Sequence, residues 1–448
     1  MFANVEVISN NTYTFSNFTY EVPSSIKDKI KVGSVVQVTF RNKQLFGIVV
    51  KLNAETNIRK LNTIISIKTT FNDKQFSYLK YLATINRINI GMLIYNLFNI
   101  DTYKEQKTVS ESTLINLTFN QIDKVVYKKN NVFFVSSLKQ SKELYDLLKD
   151  SLSIDYYQKF GGKDELNKIL SDKTFSNIIV LSNNFEKINI VNNTNYIFYD
   201  SNSISYKLPK LNELSIIESA YLKNYIFGGN FIFISEFPNF EFFNYQWQPT
   251  NDYNYDIEYF ISNNTKDNIE LLNYKYSDTT LNYYSSEILS NNKQLNYIDN
   301  LNSDKVDTII IQNPSISKNK ILNSYKLIYL LKMLNYAVKK NLKIIVFSSF
   351  ELDINKSLNS TNMNSWINNE IDIRKKYGPS NLFKIYSVYS SRLIEGVDFD
   401  NFLGPKILND SYIYELQIKL DDELNYEMMQ KIFKIIKDCE IKRIRHIS

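Results

Sequence analysis

FTYEVPSSIKDKIKVGSVVQVTFRNKQLFGIVV, Phe18 to Val50, is the stretch whose reading decides the fold. Phe18, Tyr20 and Val22 alternate with Thr19 and Glu21, and Val36, Val38 and Phe40 alternate with Gln37 and Thr39. Apolar residues at every second position read as strands with one buried face. Phe46 to Leu52 is a third apolar run, and Gly33 stands where a turn is needed after Lys31. These features predict a small β-barrel or sandwich.

Downstream the period changes. Phe76, Leu79, Leu82, Ala83 and Ile85 share one helical face, with Asn72 as N-cap and Gln75 three residues on. Thr102–Lys129 is polar and reads as a linker. Short apolar runs then alternate with helical stretches. The runs are 132–135, 177–181, 196–199, 231–234, 308–311 and 343–347; the helical stretches include Ser137–Lys149 and Asn319–Lys339. Continuous apolar runs are the mark of parallel strands buried on both faces, which makes the class α/β. Asn- and Ser-rich sequence from Ile261 to Ser303 is expected to join two α/β lobes. The tail reads as strand (Tyr412–Leu420), helix (Glu423–Lys437) and strand (Lys442–Ile447), a small βαβ unit.

The 448 residues suffice for about two to four domains. A hydrophobic content of 44%, with 22% charged and 14% aromatic residues, excludes a disordered chain. A net charge of +6 permits a polyanionic partner without demanding one. The abundance of Asn, Lys, Ile and Tyr suits an AT-rich genome and weakens the reading of any single Asn or Lys. Cys439 and His446 are the one cysteine and the one histidine, so no disulfide and no Cys/His zinc site can be built within the chain. No stretch reads as a signal peptide or a span of about 20 apolar residues, so the expected compartment is the cytoplasm, with no membrane partner.

The amino-terminal pattern resembles the start of primosomal protein N′, the PriA family of replication-restart helicases. Its F-D-Y-x-(V/L)-P element corresponds to Phe18–Pro23, its P-G-x-R-V-x-V-P-F-G strand to Gly33–Phe40, and its G-I-V-V strand to Gly47–Val50. Further on, Glu370–Pro379 is similar to the family's E-L-x-x-R-K-x-x-x-Y-P-P-F. Leu403-Gly404-Pro405 before Tyr412–Leu416 is similar to the opening of its final domain. Asn131–Leu148 resembles the family's V-P-E-I-x-L-T-x-Q segment, Tyr196–Lys207 its D-E-E-H strand, and Phe231–Phe240 its G-S-A-T-P-S strand.

The resemblance implies an N-terminal β-barrel DNA-binding domain (1–68), a short helical, winged-helix-like segment (69–102), two reduced RecA-like helicase lobes (103–260 and 261–380) and a C-terminal βαβ domain (381–448). A motor of this kind needs a glycine loop and lysine for phosphate, an acidic pair for Mg²⁺, and arginines from the second lobe. Gly-x-x-x-x-Gly-Lys-(Ser/Thr) occurs nowhere; the nearest sequence, Gly161-Gly162-Lys163-Asp164, reads as a turn. At the acidic motif only Asp200 of Tyr199-Asp200-Ser201-Asn202 is acidic, and it is expected to cap the next segment. The arginine motif corresponds to Met333, Tyr336, Ala337, Lys339 and Lys340. No catalytic residue, cofactor, ATP site or metal site is expected.

In this family the barrel holds the 3′ end of a strand. Carried over, Phe18 stacks on a base, Lys60 meets phosphate, Thr19 stands for the family's Asp, and Arg41 stands for its Gly, with Lys43 beside it. The plain alternatives are a core role for Phe18 and an ordinary solvated face of Arg41, Lys43, Lys51, Arg59 and Lys60. Lys431, Lys434, Lys437, Lys442, Arg443 and Arg445 either track phosphate or solubilise a helix. The leading expectation is an ATPase-inactive DNA-binding protein acting on forked or single-stranded DNA in replication restart. Its implied partners are single-stranded-DNA-binding protein and helicase-loading proteins. The alternatives are an active ATP-dependent 3′-5′ helicase with divergent motifs and a scaffold that does not bind DNA.

Overall fold

The computed structural model describes residues 1–10, 17–53, 61–86, 88–98, 100, 105–122, 130–159, 176–203, 206, 215–237, 257–261, 280–284, 308–312, 331–332, 337, 341–348, 369, 372, 383–395, 402–408, 410–419, 426 and 441–446. In the first seventy residues the period-two alternation produces strands. Phe2–Val7 (β1), Phe18–Glu21 (β2), Ser34–Phe40 (β3), Lys43–Leu52 (β4) and Ser66–Thr70 (β5) form an antiparallel sheet in the order β2-β1-β4-β3-β5. One face buries Ala3, Val5, Tyr20, Val36, Val38 and Val49 in a core of its own. The other sends Val35 and Ile48 into a second core, the largest among the described residues. The Glu21 amide donates to Asn62 O at 3.0 Å and the Ile64 amide to Glu21 O at 2.9 Å, which ties β2 to the run leading into β5. Gly33 turns the chain at φ +86°, with the Phe71 carbonyl 3.2 Å from where a Cβ would sit.

Asp73–Asn86 (α1) and Ile90–Leu97 (α2) follow. The expected cap is present: Asn72 Oδ1 accepts from the Gln75 amide at 2.9 Å, and Gln75 Oε1 accepts from the Asn72 amide at 3.3 Å. Such a cap contributes about 1 kcal/mol. The face Phe76, Leu79, Leu82, Ala83 and Ile85 is buried, each large side chain stabilising by roughly 1.5–3 kcal/mol. α2 lies directly on β1; a Cβ on Gly91 would stand 2.5 Å from Val7 O. At this junction Glu6 is fully buried. Its Oε2 accepts from the amides of Ile90 (2.7 Å) and Gly91 (3.3 Å), at the positive end of α2. Its Oε1 accepts from the Tyr426 hydroxyl at 2.7 Å.

The next unit is a fully parallel sheet: Ser112–Leu117 (β6), Asn130–Val135 (β7), Tyr156–Tyr157 (β8), Asn177–Leu181 (β9), Thr194–Tyr199 (β10) and Gly229–Ile234 (β11), in the order β6-β11-β10-β7-β9-β8. Leu138–Leu148 (α3), capped by Ser137, helps cover one face; Ile216–Phe227 (α4), opened by a Ser215/Glu218 capping box, lies on the other. β6 corrects the linker expected at Thr102–Lys129. It is an edge strand, Ser-Thr-Leu-Ile-Asn-Leu, whose aliphatic residues are interrupted by polar ones, so that it shows no continuous apolar run.

At the amino edge of this sheet a row of amides runs across the strands. Asn177, Asn131, Asn195 and Asn230 are register neighbours, followed by Thr113. Asn131 Nδ2 donates to Asn177 Oδ1 at 2.7 Å and Asn195 Nδ2 to Asn131 Oδ1 at 3.0 Å. Thr113 Oγ1 donates to Asn230 Oδ1 at 2.8 Å. A second buried polar knot joins α1, α4 and the 3₁₀ turn Ser182–Lys187. Glu186 accepts from the Tyr78 hydroxyl at 2.8 and 3.0 Å and from Ser219, and stands 3.7 Å from Lys223 Nζ. Burial pushes the Lys223 amine down, while Glu186 opposes that shift.

Ile257–Ile261 (β12), Thr280–Tyr284 (β13), Thr308–Gln312 (β14) and Lys343–Ser348 (β15) form a second parallel sheet in the order β12-β15-β14-β13. β13 corrects the reading of Ile261–Ser303 as a joining segment only; its five residues TLNYY carry too few aliphatics to announce a buried strand. Of the helix expected over Asn319–Lys339, residues 331, 332 and 337 are described, and they are helical. Phe383–Ser390 (β16), Phe402–Leu408 (β17), Ser411–Lys419 (β18) and Ile441–His446 (β19) close the chain as an antiparallel sheet, β17-β18-β16-β19. The simple βαβ unit is thereby corrected: β16 lies between β18 and β19 and runs antiparallel to both. Of the helix expected over Glu423–Lys437 only Tyr426 is described. Val388, Tyr414, Leu416 and Tyr426 enter the same core as α1, α2 and one face of the six-stranded sheet.

Candidate nucleic-acid interface

β3 and β4 are joined by a two-residue hairpin, with Phe40 paired to Lys43. Arg41 (φ +48°) and Asn42 (φ +61°) are both left-handed, the geometry of a tight turn that matches the twist of its strands. Asn tolerates that region; Arg does so at some strain, at the position where the resembling family places glycine. Arg41, Asn42 and Lys43 are exposed.

The hairpin tip reaches toward β2. The Phe40 and Phe18 rings lie 4.7 Å apart between centroids, tilted by 56°. The Arg41 guanidinium stands 5.6 Å from the Phe40 ring centre. Thr39 O, beside them, accepts from the Tyr20 hydroxyl at 3.3 Å and from Asn62 Nδ2 at 3.2 Å, so β2, β3 and the run before β5 are pinned at this end. Burial pushes the Tyr20 hydroxyl up. The result is a guanidinium, two aromatic rings and a lysine at the hairpin end of the sheet, contributed by β2, β3, the turn and β4. Aromatic faces with flanking cations suit bases and phosphates.

Of the expected site residues, the structure brings Phe18, Arg41 and Lys43 to this end of the sheet. Phe18 is half-buried, packed against the inner core while meeting Phe40. Thr19 goes elsewhere. Strand alternation sends it to the opposite face, where its hydroxyl donates to Asn4 Oδ1 at 3.1 Å, with Lys51 paired beyond Asn4. Lys60 and Arg59 lie outside the described residues. Sequence reasoning missed Phe40 and Asn62 as site residues. Phe40 was legible as the next member of the Val36, Val38 alternation.

At the carboxyl edge of the six-stranded sheet, Asp200 follows β10 at φ +54°. It was expected to cap the following segment; instead its side chain is taken up by two partners from other elements. Oδ1 lies 3.0 Å from Lys332 Nζ, and Oδ2 accepts from Gln140 Nε2 at 3.4 Å. Residues 123–129 before β7, the sequence Gly161–Asp164 between β8 and β9, and Met333, Tyr336, Lys339 and Lys340 lie outside the described residues, while Ala337 is buried. Among the described residues no group of three or more His, Cys, Asp or Glu side chains comes together, and no helix is long and apolar enough to cross a membrane.

An aromatic and basic hairpin end on an antiparallel sheet offers the residue types that a nucleic-acid strand requires. Residues 6–97 match the family of the 3′ DNA-binding domain (3′BD) of PriA, and the match supports a PriA-like family for the chain. It spans β1 to α2, about a fifth of the sequence. No curated protein matches the chain. Among solved structures, the arterivirus nonstructural protein 10 (helicase) in complex with DNA is 8% identical, over 74% of this chain and 77% of that one, at a TM-score of 0.27. The Mycobacterium smegmatis helicase Lhr bound to ssDNA and AMP-PNP is 9% identical, over 52% of this chain and 36% of that one, at a TM-score of 0.20.

Proposed function

We propose that this protein grips forked or single-stranded DNA through the hairpin end of its amino-terminal sheet, and that it does so without hydrolysing ATP. The observation that carries the reading is the Arg41–Phe40–Phe18 cluster, inside the region that matches the PriA 3′ DNA-binding domain. A base lies against the Phe18 and Phe40 rings; Arg41 and Lys43 meet phosphate, joined by Lys60. Because Thr19 points to the other face and bonds Asn4, it is not placed to read the sugar hydroxyl of the same nucleotide. The grip is therefore on a strand rather than on a chemically defined terminus.

The first 68 residues are read as a barrel closed by the Glu21–Asn62 and Glu21–Ile64 bonds, and 69–102 as its helical companion. The parallel sheets within 103–260 and 261–380 are read as reduced RecA-like lobes, and 381–448 as a separate C-terminal domain. The want of a phosphate loop and of an acidic pair in the sequence supports an inactive motor. The role is replication restart beside single-stranded-DNA-binding protein and helicase-loading proteins.

Fluorescence anisotropy with a labelled fork tests the grip. Phe18→Ala is expected to weaken binding about tenfold, as loss of one stacked base does. Arg41→Gln should weaken it and lower the salt slope by about one. Equal affinity of wild type and both variants would remove the site. DNA-stimulated phosphate release would remove the inactive motor while leaving the DNA grip intact.

A further inference from the structure

The Asp200–Lys332 pair joins two sheets, and neither the DNA grip nor the missing phosphate loop requires it. Asp200 leaves β10 on the carboxyl edge of the six-stranded sheet. Lys332 lies in the helical residues between β14 and β15 of the four-stranded sheet, next to the fully buried Leu331. The Ser203 amide closes a tight turn on Asp200 O at 2.8 Å, which fixes where the carboxylate points. Both carboxylate oxygens are used: Oδ1 by Lys332 at 3.0 Å, Oδ2 by Gln140 of α3 at 3.4 Å. Gln140 is itself held, its Oε1 accepting from the Ser136 amide at 2.9 Å and hydroxyl at 2.7 Å. The two charged side chains are 25% and 20% exposed, shielded enough for their attraction to exceed that of a fully solvated pair.

Open parallel sheets take their ligands at the carboxyl ends of the strands. A ligand there closes two units by touching both, and it shifts a population only through that differential contact. Here both halves of the contact are supplied by the chain. We infer that the Asp200–Lys332 ion pair, buttressed by Gln140, is a built-in latch that holds the two parallel sheets together without any ligand between them. The protein then presents one fixed spacing of its two sheets to a partner, where a ligand-driven pair would alternate between two.

Small-angle X-ray scattering on the full chain tests this, with circular dichroism confirming that each variant keeps its secondary structure. The wild type is expected to be compact alone and unchanged by ATP with Mg²⁺. Lys332→Glu, which sets two carboxylates face to face, should shift to a larger radius of gyration. Lys332→Arg should stay compact. Asp200→Asn, which suits the positive φ, should expand like Lys332→Met, and the Asp200→Asn/Lys332→Met double variant should expand no further than either single one. An unchanged radius in Lys332→Glu and Asp200→Asn would overturn the latch. So would expansion in Lys332→Arg, or a wild type that becomes compact only with nucleotide.

Discussion

The two edges of the six-stranded parallel sheet use the same residue types to opposite effect. At the amino edge, Asn177, Asn131 and Asn195 pass hydrogen bonds from strand to strand, and Asn230 bonds Thr113 and Glu111. At the carboxyl edge, both amide atoms of Asn116, Oγ of Ser201 and Oδ1 of Asn202 are buried with no hydrogen-bond partner among the described residues. Side chains level with one another across neighbouring strands can close on each other, and a closed row fixes register. Strand ends that diverge into loops cannot, which is why this edge of α/β sheets is the one that meets ligands. Location, rather than residue identity, makes one set structural and leaves the other open.

The sharpest break of that comparison is Asn131→Ala. It leaves amide groups of Asn177 and Asn195 buried and unpaired, and should lower unfolding stability by about 3 kcal/mol in urea titration. A loss under about 1 kcal/mol would mean that the row holds nothing.

Next comes an alkaline titration, because each edge has a buried tyrosine. Tyr196 donates to Asn189 O at 2.9 Å, and Tyr206 to Phe134 O and Tyr199 O, each at 2.6 Å. Burial pushes both hydroxyls up, and Asp200 adds to the shift at Tyr206. Their pKa values are higher folded than unfolded, so the folded state holds more protons above pH 10. Stability is therefore retained below about pH 10 and lost above it, by about 1.4 kcal/mol per pH unit for each ring. The part of the tyrosinate absorbance that Tyr196→Phe or Tyr206→Phe removes should rise together with unfolding; its appearance in a folded chain would contradict the burial of that ring.

The smallest effect should come from Asn116→Val and Ser201→Ala. These remove atoms that bond nothing in the described structure, so each should change stability by less than about 1 kcal/mol in the same titration. A loss equal to that of Asn131→Ala would erase the distinction between the edges.

Much of this was legible in the chain. The Asn72–Gln75 cap, the Gly33 turn and the buried runs of β7, β9, β10 and β11 follow from period and local chemistry. β6 and β13 were not: in β6 the aliphatic residues Leu114, Ile115 and Leu117 are broken up by polar ones, and β13 has a single aliphatic residue, so neither shows a continuous apolar run. The Asn row was hidden by composition: in a chain rich in Asn no single one stands out, and only strand register shows which four meet. At the candidate interface, Phe18 was visible and Phe40 was reachable by continuing its alternation. The Arg41-Asn42 hairpin lacks the Asn-Gly signature, so its two-residue turn came only from the backbone. Asp200 looked like a local cap because its true partner, Lys332, lies 132 residues away.

Glu6 and Tyr426 meet across 420 residues. On the ribosome, β1 is therefore made with a carboxylate one of whose hydrogen-bond donors emerges only 420 residues later. The amides of α2 can hold it in the meantime, but the amino-terminal domain reaches its finished form late. Chains cut short before Tyr426 should then lack this bond to the glutamate, which ties the finished surroundings of β1 to a residue 420 positions downstream.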